Sequence, residues 1–326
     1  MDLKAILYSH KLHSFNISKD LRYIAMNSNI LYIADIVNGE IYTIGKDNAI
    51  LDSAFSDDNS FIAIKSDYKY FLLHDNFTKK QSVRKSGSSF FFKKPVVYKD
   101  GFMYAYDTFV TDRRSYTKYI LQNNSKKTLL FEIYDCFLYD NKIFDDELYV
   151  IFGDHEKDQI FICQHNFITN TSKQLEFTIT EAGFRNAIVI PQKGLLVILF
   201  YCSDDMASLC FYDINTFRLV HKEKLDIIAV LPNLCDMCNG EYLIISHLKG
   251  FMIFNTTDFS LEKDVYFPRI REVTVCDNDN FCCIRCWDDF VVFTPTQSPE
   301  NDELIKKIED LFRSNGLNRL INKRNG

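Results

Sequence analysis

A short strand-like segment recurs through most of the chain and constrains its fold more than any other feature. Its seven members are ILYIAD, FIAIKS, FMYAYD, LYVIFG, LLVILF, YLIISH and FCCIRC, starting at residues 30, 61, 102, 148, 195, 242 and 281. The starts are 31, 41, 46, 47, 47 and 39 residues apart. This spacing indicates one repeated supersecondary unit, because a single strand with its turn needs far fewer residues.

Each repeat holds further strands in a constant order. A short apolar strand and a tight turn rich in Asp, Asn and Gly precede the segment, as at residues 57–59, 99–101 and 277–280. Such residues adopt the backbone conformations that hairpin turns require. A third strand follows, and then a more polar fourth strand, which suits an exposed sheet edge. The sequence therefore predicts an all-β, seven-bladed β-propeller of four-stranded antiparallel blades.

Two stretches resemble a known repeat family. Residues 54–75 with 78–80 resemble a degenerate WD-repeat blade, and residues 211–220 resemble the junction between the third and fourth strands of that repeat. The resemblance extends over residues 15–296 and implies a propeller of repeated blades. The Gly-His and Trp-Asp dipeptides of the family are missing from the blade positions, since the one Trp-Asp pair, Trp287–Asp288, falls in a turn.

The two ends of the chain have separate expected roles. The seventh unit stops near Pro295 without a fourth strand, so we expect residues 5–12 to complete it and close the ring. After residue 296, apolar residues at helical spacing in 301–312 predict a helix with acidic residues in its first turn. That helix either packs on the propeller wall or docks a partner. The expected organisation is a propeller over residues 1–296 and a helical tail over 297–326.

Composition narrows the class of protein. The chain has 326 residues, 47% of them hydrophobic, which is typical of a globular protein. Its net charge of −6 argues against a broad nucleic-acid-binding face. The N-terminus shows no signal peptide, and the longest apolar run, residues 195–202, is too short to span a membrane. We therefore expect a cytoplasmic protein with no membrane partner and reduced cysteines.

Candidate chemistry is sparse. Two Cys-x-x-Cys pairs, Cys235 with Cys238 and Cys283 with Cys286, could bind zinc, but 44 residues separate them, and residues three apart on a strand point to opposite faces. Core packing is the favoured role for these cysteines. The sequence contains no nucleophile elbow, phosphate-binding loop or dinucleotide fingerprint. We expect no metal, no cofactor and no enzymatic activity.

The loops on one rim are the remaining candidates. In a propeller, the loops between second and third strands share a rim with the linkers between blades, and loops on a rigid scaffold often carry binding residues. Candidate partner-binding residues on this rim are Arg113, Arg114, His155, Arg185, Asp204, Asp205, Trp287 and Asp288. Arginine and tryptophan are frequent interface anchors.

Two functions follow from this sequence reading. The first is a non-catalytic protein–protein interaction module, such as a scaffold, effector, immunity or defence component, that binds another protein through the rim loops. The alternative is a propeller enzyme, a hydrolase or lyase, with carboxylates and histidines at the mouth of the central channel. Convergence of such side chains in the structure would favour the alternative.

Overall fold

A computed structural model describes most of the chain. The described residues are 3–44, 50–55, 61–65, 70–74, 77, 79–83, 96–99, 101–109, 115–123, 126–134, 136–154, 157, 159–179, 183–202, 206–227, 233–267, 269–286, 289–295 and 298–320. They are almost entirely β-structure, as the repeated strand segments predict. One α-helix follows the last strand.

The strands follow one another in short hairpins. The first nine are β1 (Lys4–Ser9), β2 (Ser14–Ile17), β3 (Tyr23–Asn27), β4 (Leu31–Asp35), β5 (Glu40–Thr43), β6 (Ile50–Phe55), β7 (Phe61–Lys65), β8 (Tyr70–His74) and β9 (Lys79–Val83). The next twelve are β10 (Val96–Tyr98), β11 (Gly101–Phe109), β12 (Ser115–Asn123), β13 (Lys126–Tyr134), β14 (Phe137–Phe144), β15 (Glu147–Asp154), β16 (Gln159–Asn166), β17 (Thr171–Thr178), β18 (Phe184–Ile190), β19 (Leu195–Cys202), β20 (Met206–Asp213) and β21 (Leu219–Leu225). The last seven are β22 (Leu234–Met237), β23 (Tyr242–His247), β24 (Gly250–Asn255), β25 (Leu261–Tyr266), β26 (Ile270–Val275), β27 (Cys282–Cys286) and β28 (Phe290–Thr294).

These strands form seven four-stranded sheets. Sheets 1 to 6 each take four consecutive strands, from β2–β5 for sheet 1 to β22–β25 for sheet 6, and sheet 7 has the order β1-β28-β27-β26. The chain divides into two compact units. One unit contains sheets 1, 2, 6 and 7 and is built from Met1–Phe55, Asn59–Ser82 and Cys235–Gly326; the other contains sheets 3, 4 and 5 and is built mainly from Val83–Leu234.

The recurring segment has a constant place in six of the sheets. It forms the second strand of sheets 2 to 7, as the repeat pattern predicts. In sheet 1 the prediction is wrong, because residues 30–35 lie on the third strand, β4, and the second strand is β3. Every residue of β3 and of β4 is buried. Hydrophobicity therefore cannot distinguish the two strands, and the short first spacing of 31 residues results from this shift.

The N-terminal strand completes the last sheet. β1 pairs antiparallel with β28, from Lys4 opposite Thr294 to Ser9 opposite Phe290. This confirms that the N-terminus supplies the missing fourth strand, although the strand ends at Ser9 rather than at residue 12. Residues from the two ends of the chain thus share one sheet, and Leu7 is buried in the core beneath it.

The C-terminal helix packs on the first unit. α1 (Pro299–Ser314) is longer than the predicted 301–312, and the Ser298 hydroxyl caps it by accepting a hydrogen bond from Asn301 N at 3.1 Å. Its buried face joins the core cluster that also contains Leu7 of β1 and Tyr32 of β4, through Leu304, Ile308, Leu311 and Phe312. The apolar face of the helix is therefore covered by the sheets of its own unit, which supports packing rather than partner docking as its role.

A polar network joins sheets 7, 1 and 2. Asn16 of β2 is 2% exposed, and its amide nitrogen donates to Ser53 O at 2.9 Å and to Asp277 Oδ2 at 2.8 Å. The side-chain oxygen of Asn16, Oδ1, accepts a hydrogen bond from Asp277 N at 2.8 Å. Asp277 Oδ2 also accepts a hydrogen bond from Phe55 N at 2.7 Å. One buried amide therefore holds the turn that follows β26 against the inner strands of the next two sheets.

Replacing this amide should destabilise the fold. Asn16→Ala removes the two hydrogen bonds that the Asn16 side chain donates and the one that it accepts, so Ser53 O, Asp277 N and the Asp277 carboxylate each lose a buried hydrogen bond. We therefore expect the free energy of unfolding to fall by about 3 kcal/mol. Urea titration measures the loss. The matched change Asn215→Ala, at an exposed position in the turn after β20, should cost less than about 0.5 kcal/mol. Equal losses for the two variants would contradict the role assigned to the network.

Candidate functional site

The linkers that connect successive sheets enter and leave each sheet at the same end. In an antiparallel four-stranded sheet, the first strand begins, the second strand turns into the third and the fourth strand ends at the same end. We call this the linker end of each sheet, and the other the opposite end.

Most of the predicted site residues lie outside the part of the chain that the structure describes. One of the predicted site residues, Arg185, lies within the described residues. The other seven lie outside them: Arg113, Arg114, His155, Asp204, Asp205, Trp287 and Asp288. Their assignment to a partner-binding surface stays a prediction.

Arg185 is displayed by an irregularity in β18. The strand has a bulge between Phe184 and Asn186, and Arg185, which lies at the bulge, is exposed. Its guanidinium carbon lies 5.3 Å from the centre of the Tyr201 ring, within the range of a cation–π contact. The backbone of Gly183 also approaches that of Tyr201 closely. Only glycine permits this, because the φ of Gly183 is +85° and a Cβ there would lie 2.0 Å from Tyr201 O. The linker end of sheet 5 thus holds an arginine on an aromatic platform.

The exposed aromatic side chains share a location that sequence reasoning missed. Among the side chains that the structure describes, the large exposed aromatics are Tyr134 at the end of β13, Phe137 at the start of β14 and Tyr266 at the end of β25, with 60%, 45% and 75% exposure. All three lie at linker ends. Met206 and Leu248 are also exposed there. Their positions beside the inter-sheet linkers are the sequence signal that could have identified them.

A small pocket is lined by residues of sheets 7, 1 and 2. It is lined by His13, Ser14, Phe15, Ser53, Glu272, Thr274, Arg285 and Phe290 and has room of about 20 Å³, enough for about one water molecule. Arg285 Nη2 lies 2.6 Å from Glu272 Oε2 across the β26–β27 pair. A histidine, a carboxylate and a guanidinium therefore converge here.

A second cluster of polar side chains lies at the linker end of sheet 7. The Tyr8 hydroxyl donates to Asp289 Oδ1 at 2.7 Å, and His10 Nδ1 lies 2.5 Å from the same oxygen. The rings of Tyr8 and His10 meet edge to face at 4.9 Å. These contacts fix the end of β1 to the start of β28, and so they anchor the linker that leads into β2.

The cysteines of the two Cys-x-x-Cys pairs occupy core positions or border the core. Cys283 and Cys286 are buried, as is Cys282, and Cys235 and Cys238 pack against the core cluster of sheets 6 and 7. Burial raises the pKa of Cys238 and of Cys282 to about 12, which favours the neutral thiol over the metal-binding thiolate. Within the described ranges, no group of three or more His, Cys, Asp or Glu residues could hold a metal ion. The described part of the chain also contains no helix long and apolar enough to cross a membrane.

His247 is a buried titratable group at the linker end of sheet 6. Its side chain is 7% exposed, and among the described residues Nε2 has no hydrogen-bond partner, although Asp264 Oδ1 lies 3.7 Å away. Burial lowers the pKa of His247, and the nearby Asp264 opposes this shift only in part. The neutral ring accepts a hydrogen bond from Lys249 N at 3.3 Å through Nδ1.

This burial predicts acid sensitivity. As the pH falls from about 7 to about 5, the unfolded chain binds a proton at His247 before the folded chain does, since the unfolded pKa is about 6.5. The free energy of unfolding should therefore decrease over this range, and His247→Asn, which retains an acceptor for Lys249 N, should reduce that decrease. Urea titrations at several pH values measure both slopes. Identical slopes for wild type and variant would contradict the prediction.

Comparison with known proteins establishes the fold. A scan of protein-family models finds no match, and a search of curated proteins finds none. Two solved structures are similar over 91% of this chain. One is a chain in the crystal structure of a mitotic checkpoint complex, with a TM-score of 0.61, 11% identity and 91% of that chain covered. The other is an oligogalacturonate lyase in complex with manganese, with a TM-score of 0.62, 8% identity and 92% of that chain covered.

The chain has the β-propeller fold. Its blades are the four-stranded antiparallel sheets, and one helix follows them. Because one similar structure belongs to a protein complex and the other is a lyase, the propeller fold is compatible with both functions that the sequence suggests.

Proposed function

We propose that this propeller is a non-catalytic protein-recognition module that binds a partner through linker ends of its sheets. The observation that carries the proposal is the placement of the exposed aromatics Tyr134, Phe137 and Tyr266 at linker ends. Exposed aromatic side chains bury a large area at little cost in conformational entropy, and they are enriched at the energetic centres of interfaces. The similar chain in a mitotic checkpoint complex supports a role in protein assembly.

The proposal includes the residues that the sequence predicts for the rim. Arg185 contributes an arginine held on Tyr201, and this pair resembles the rigid anchors that dominate many interfaces. The seven predicted residues outside the described ranges extend the surface. We also propose that the seven sheets are the seven blades of one propeller, which the shared strand order of the sheets supports.

Affinity capture with surface variants tests this function. The purified chain is used as bait in native lysate, and the recovery of co-eluting proteins is compared for wild type, Tyr134→Ser/Phe137→Ser and Tyr266→Ser. We expect recovery of a specific partner to fall at least about tenfold for one or both variants, because loss of an interface anchor costs about 1.4 kcal/mol or more. Thermal unfolding of each variant checks that the fold is retained.

Two exposed residues at opposite ends provide matched controls. Val37 and Ile168 are each 73% exposed, and both lie in turns between third and fourth strands. Val37→Ser and Ile168→Ser should leave recovery unchanged. If they reduce it as much as the linker-end changes do, or if no protein is captured, the proposed function is wrong.

An enzymatic function is the second candidate, favoured by the pocket where His13, Glu272 and Arg285 converge. The similar lyase acts, by its name, on oligogalacturonate, so an acidic oligosaccharide is the first substrate class to test. Eliminative cleavage creates an unsaturated product that is measured by its ultraviolet absorbance. Turnover that Glu272→Gln abolishes would favour this candidate over the recognition module, and absence of turnover on oligogalacturonate would count against it.

A further inference from the structure

Two buried thiols lie in contact on the hairpin formed by β26 and β27. Cys276 directly follows β26, Cys283 lies on β27, and their sulfur atoms are 3.5 Å apart. Cys276 is 5% exposed and Cys283 is 2% exposed, and both are free cysteines. Two thiols at this distance can form a covalent bond with each other, which a single buried cysteine cannot do.

The strand pairing places both thiols on one face of sheet 7. Thr274 lies opposite Cys283 in the β26–β27 ladder. The ladder continues one step beyond β26, where Cys276 N donates to Phe281 O at 2.9 Å. Because side chains alternate between the two faces of a strand, Cys276 shares the face of Thr274 and therefore that of Cys283. Cys282 points to the other face, and it belongs to the core cluster of sheets 6 and 7, whereas Cys276 and Cys283 belong to the cluster shared with sheet 1.

The geometry of this pair suits a disulfide. The S–S bond of a disulfide is about 2 Å long, so the two sulfur atoms need to approach by about 1.5 Å. Rotation of the two side chains about their Cα–Cβ bonds supplies a movement of this size. The hydrogen bond from Cys276 N to Phe281 O fixes the backbone beside the pair, so the bond can form without a change in strand register.

Hydrogen bonds connect the pair to the neighbouring sheet. Cys283 Sγ donates to Phe15 O of β2 at 3.6 Å. A thiol has one hydrogen, so the contact between the two sulfur atoms is then a hydrogen bond that Cys276 donates to Cys283. The thiols thus form a short chain of hydrogen bonds from sheet 7 to sheet 1.

This chain lies beside the polar network of Asn16. Cys276 directly precedes Asp277, and Phe15 directly precedes Asn16. Asn16 and Asp277 exchange two hydrogen bonds of 2.8 Å each. The thiol pair is therefore located at the same junction of sheets 7 and 1 that the buried amide holds together.

We infer that Cys276 and Cys283 are a dithiol site that oxidises reversibly to a disulfide, which makes the junction of sheets 7 and 1 sensitive to peroxides. The site goes beyond the proposed function and does not depend on it. A peroxide is the oxidant because hydrogen peroxide is small enough to reach a buried pair through a local opening of the hairpin.

The reaction takes two steps. One thiol loses its proton, and the thiolate attacks hydrogen peroxide to give a sulfenic acid and hydroxide, which takes up that proton. The sulfur of the second thiol then attacks the sulfenic sulfur, so the S–S bond forms and water leaves. The two thiols lose two electrons and two protons in all, and one hydrogen peroxide is reduced to two water molecules. A dithiol reductant restores the thiols by exchange.

Peptide mass spectrometry tests the site on the full chain. The protein is treated with hydrogen peroxide, denatured with N-ethylmaleimide present and digested with trypsin, which releases residues 272–285 with the cysteines Cys276, Cys282 and Cys283. We expect this peptide to have one maleimide, on Cys282, and to lack two hydrogen atoms. Dithiothreitol added before denaturation should restore three maleimides. Fragmentation of the wild-type peptide identifies the bonded pair, so the test does not depend on the folding of a variant.

Two serine variants separate the pair from its neighbour. Cys283→Ser should abolish the cross-link, and Cys282→Ser should retain it. Cys282 is a matched control, because it is buried on the same strand but points to the opposite face. Three maleimides after peroxide treatment, a bond that includes Cys282, or a product that dithiothreitol does not reverse would each overturn the inference.

Urea unfolding measures the effect of the disulfide on the junction. We expect the midpoint of wild type to rise after peroxide treatment, because a cross-link restricts the unfolded chain. The rise should persist in Cys282→Ser and disappear in Cys283→Ser. An unchanged midpoint would overturn the sensitivity of the junction, and a lower one would show that the native hairpin does not fit the bond. Neither result affects the proposed function, which the capture experiment decides separately.

Discussion

The hydrogen bonds of Asn16 are the constraint on which the first unit depends. One buried amide joins the turn after β26 to the inner strands of sheets 1 and 2, which lie more than 200 residues away from that turn in sequence. β1 adds a second long-range link by completing sheet 7, and α1 covers the core beneath that strand. A buried side chain that satisfies several polar groups has no simple replacement, because each group left unpaired costs stability. The hydrogen bonds of Asn16 offset the cost of burying its amide, and the burial in turn makes each of these bonds costly to lose.

This scaffold determines where binding residues can lie. The hairpin topology brings the linkers and the second-to-third turns of each sheet to one end, and the bulges in β18 and β26 expose an arginine at that end. Close approaches at Gly183 and Gly250 bring the neighbouring backbone segments together. Aromatic and cationic side chains are thereby presented on backbone that is fixed by pairing, which lowers the entropy lost when a partner binds.

Much of the architecture could be predicted because local patterns encode it. Alternating apolar residues and Asp, Asn and Gly turns identify most of the strands, and the missing fourth strand after Pro295 identifies β1. The helical spacing after residue 300 predicts α1 within two residues at each end. The exception is sheet 1, where β3 and β4 are equally buried and periodicity cannot rank them. The candidate site was harder to predict, because exposure of Tyr266 or engagement of Glu272 by Arg285 depends on partners in other strands.

The sequence by itself determined the repeat, the strand-rich composition, the N-terminal strand that completes the last sheet, and the C-terminal helix. These features depend on residues close in sequence or on a visible gap in a periodic pattern. Only the tertiary structure decided which polar groups pair across sheets, which carboxylates are already engaged, and which aromatic and cationic side chains remain exposed at the linker ends. Those properties depend on distances between residues far apart in sequence, as between Asn16 and Asp277. No local pattern encodes such distances, because they arise only when the sheets pack against one another.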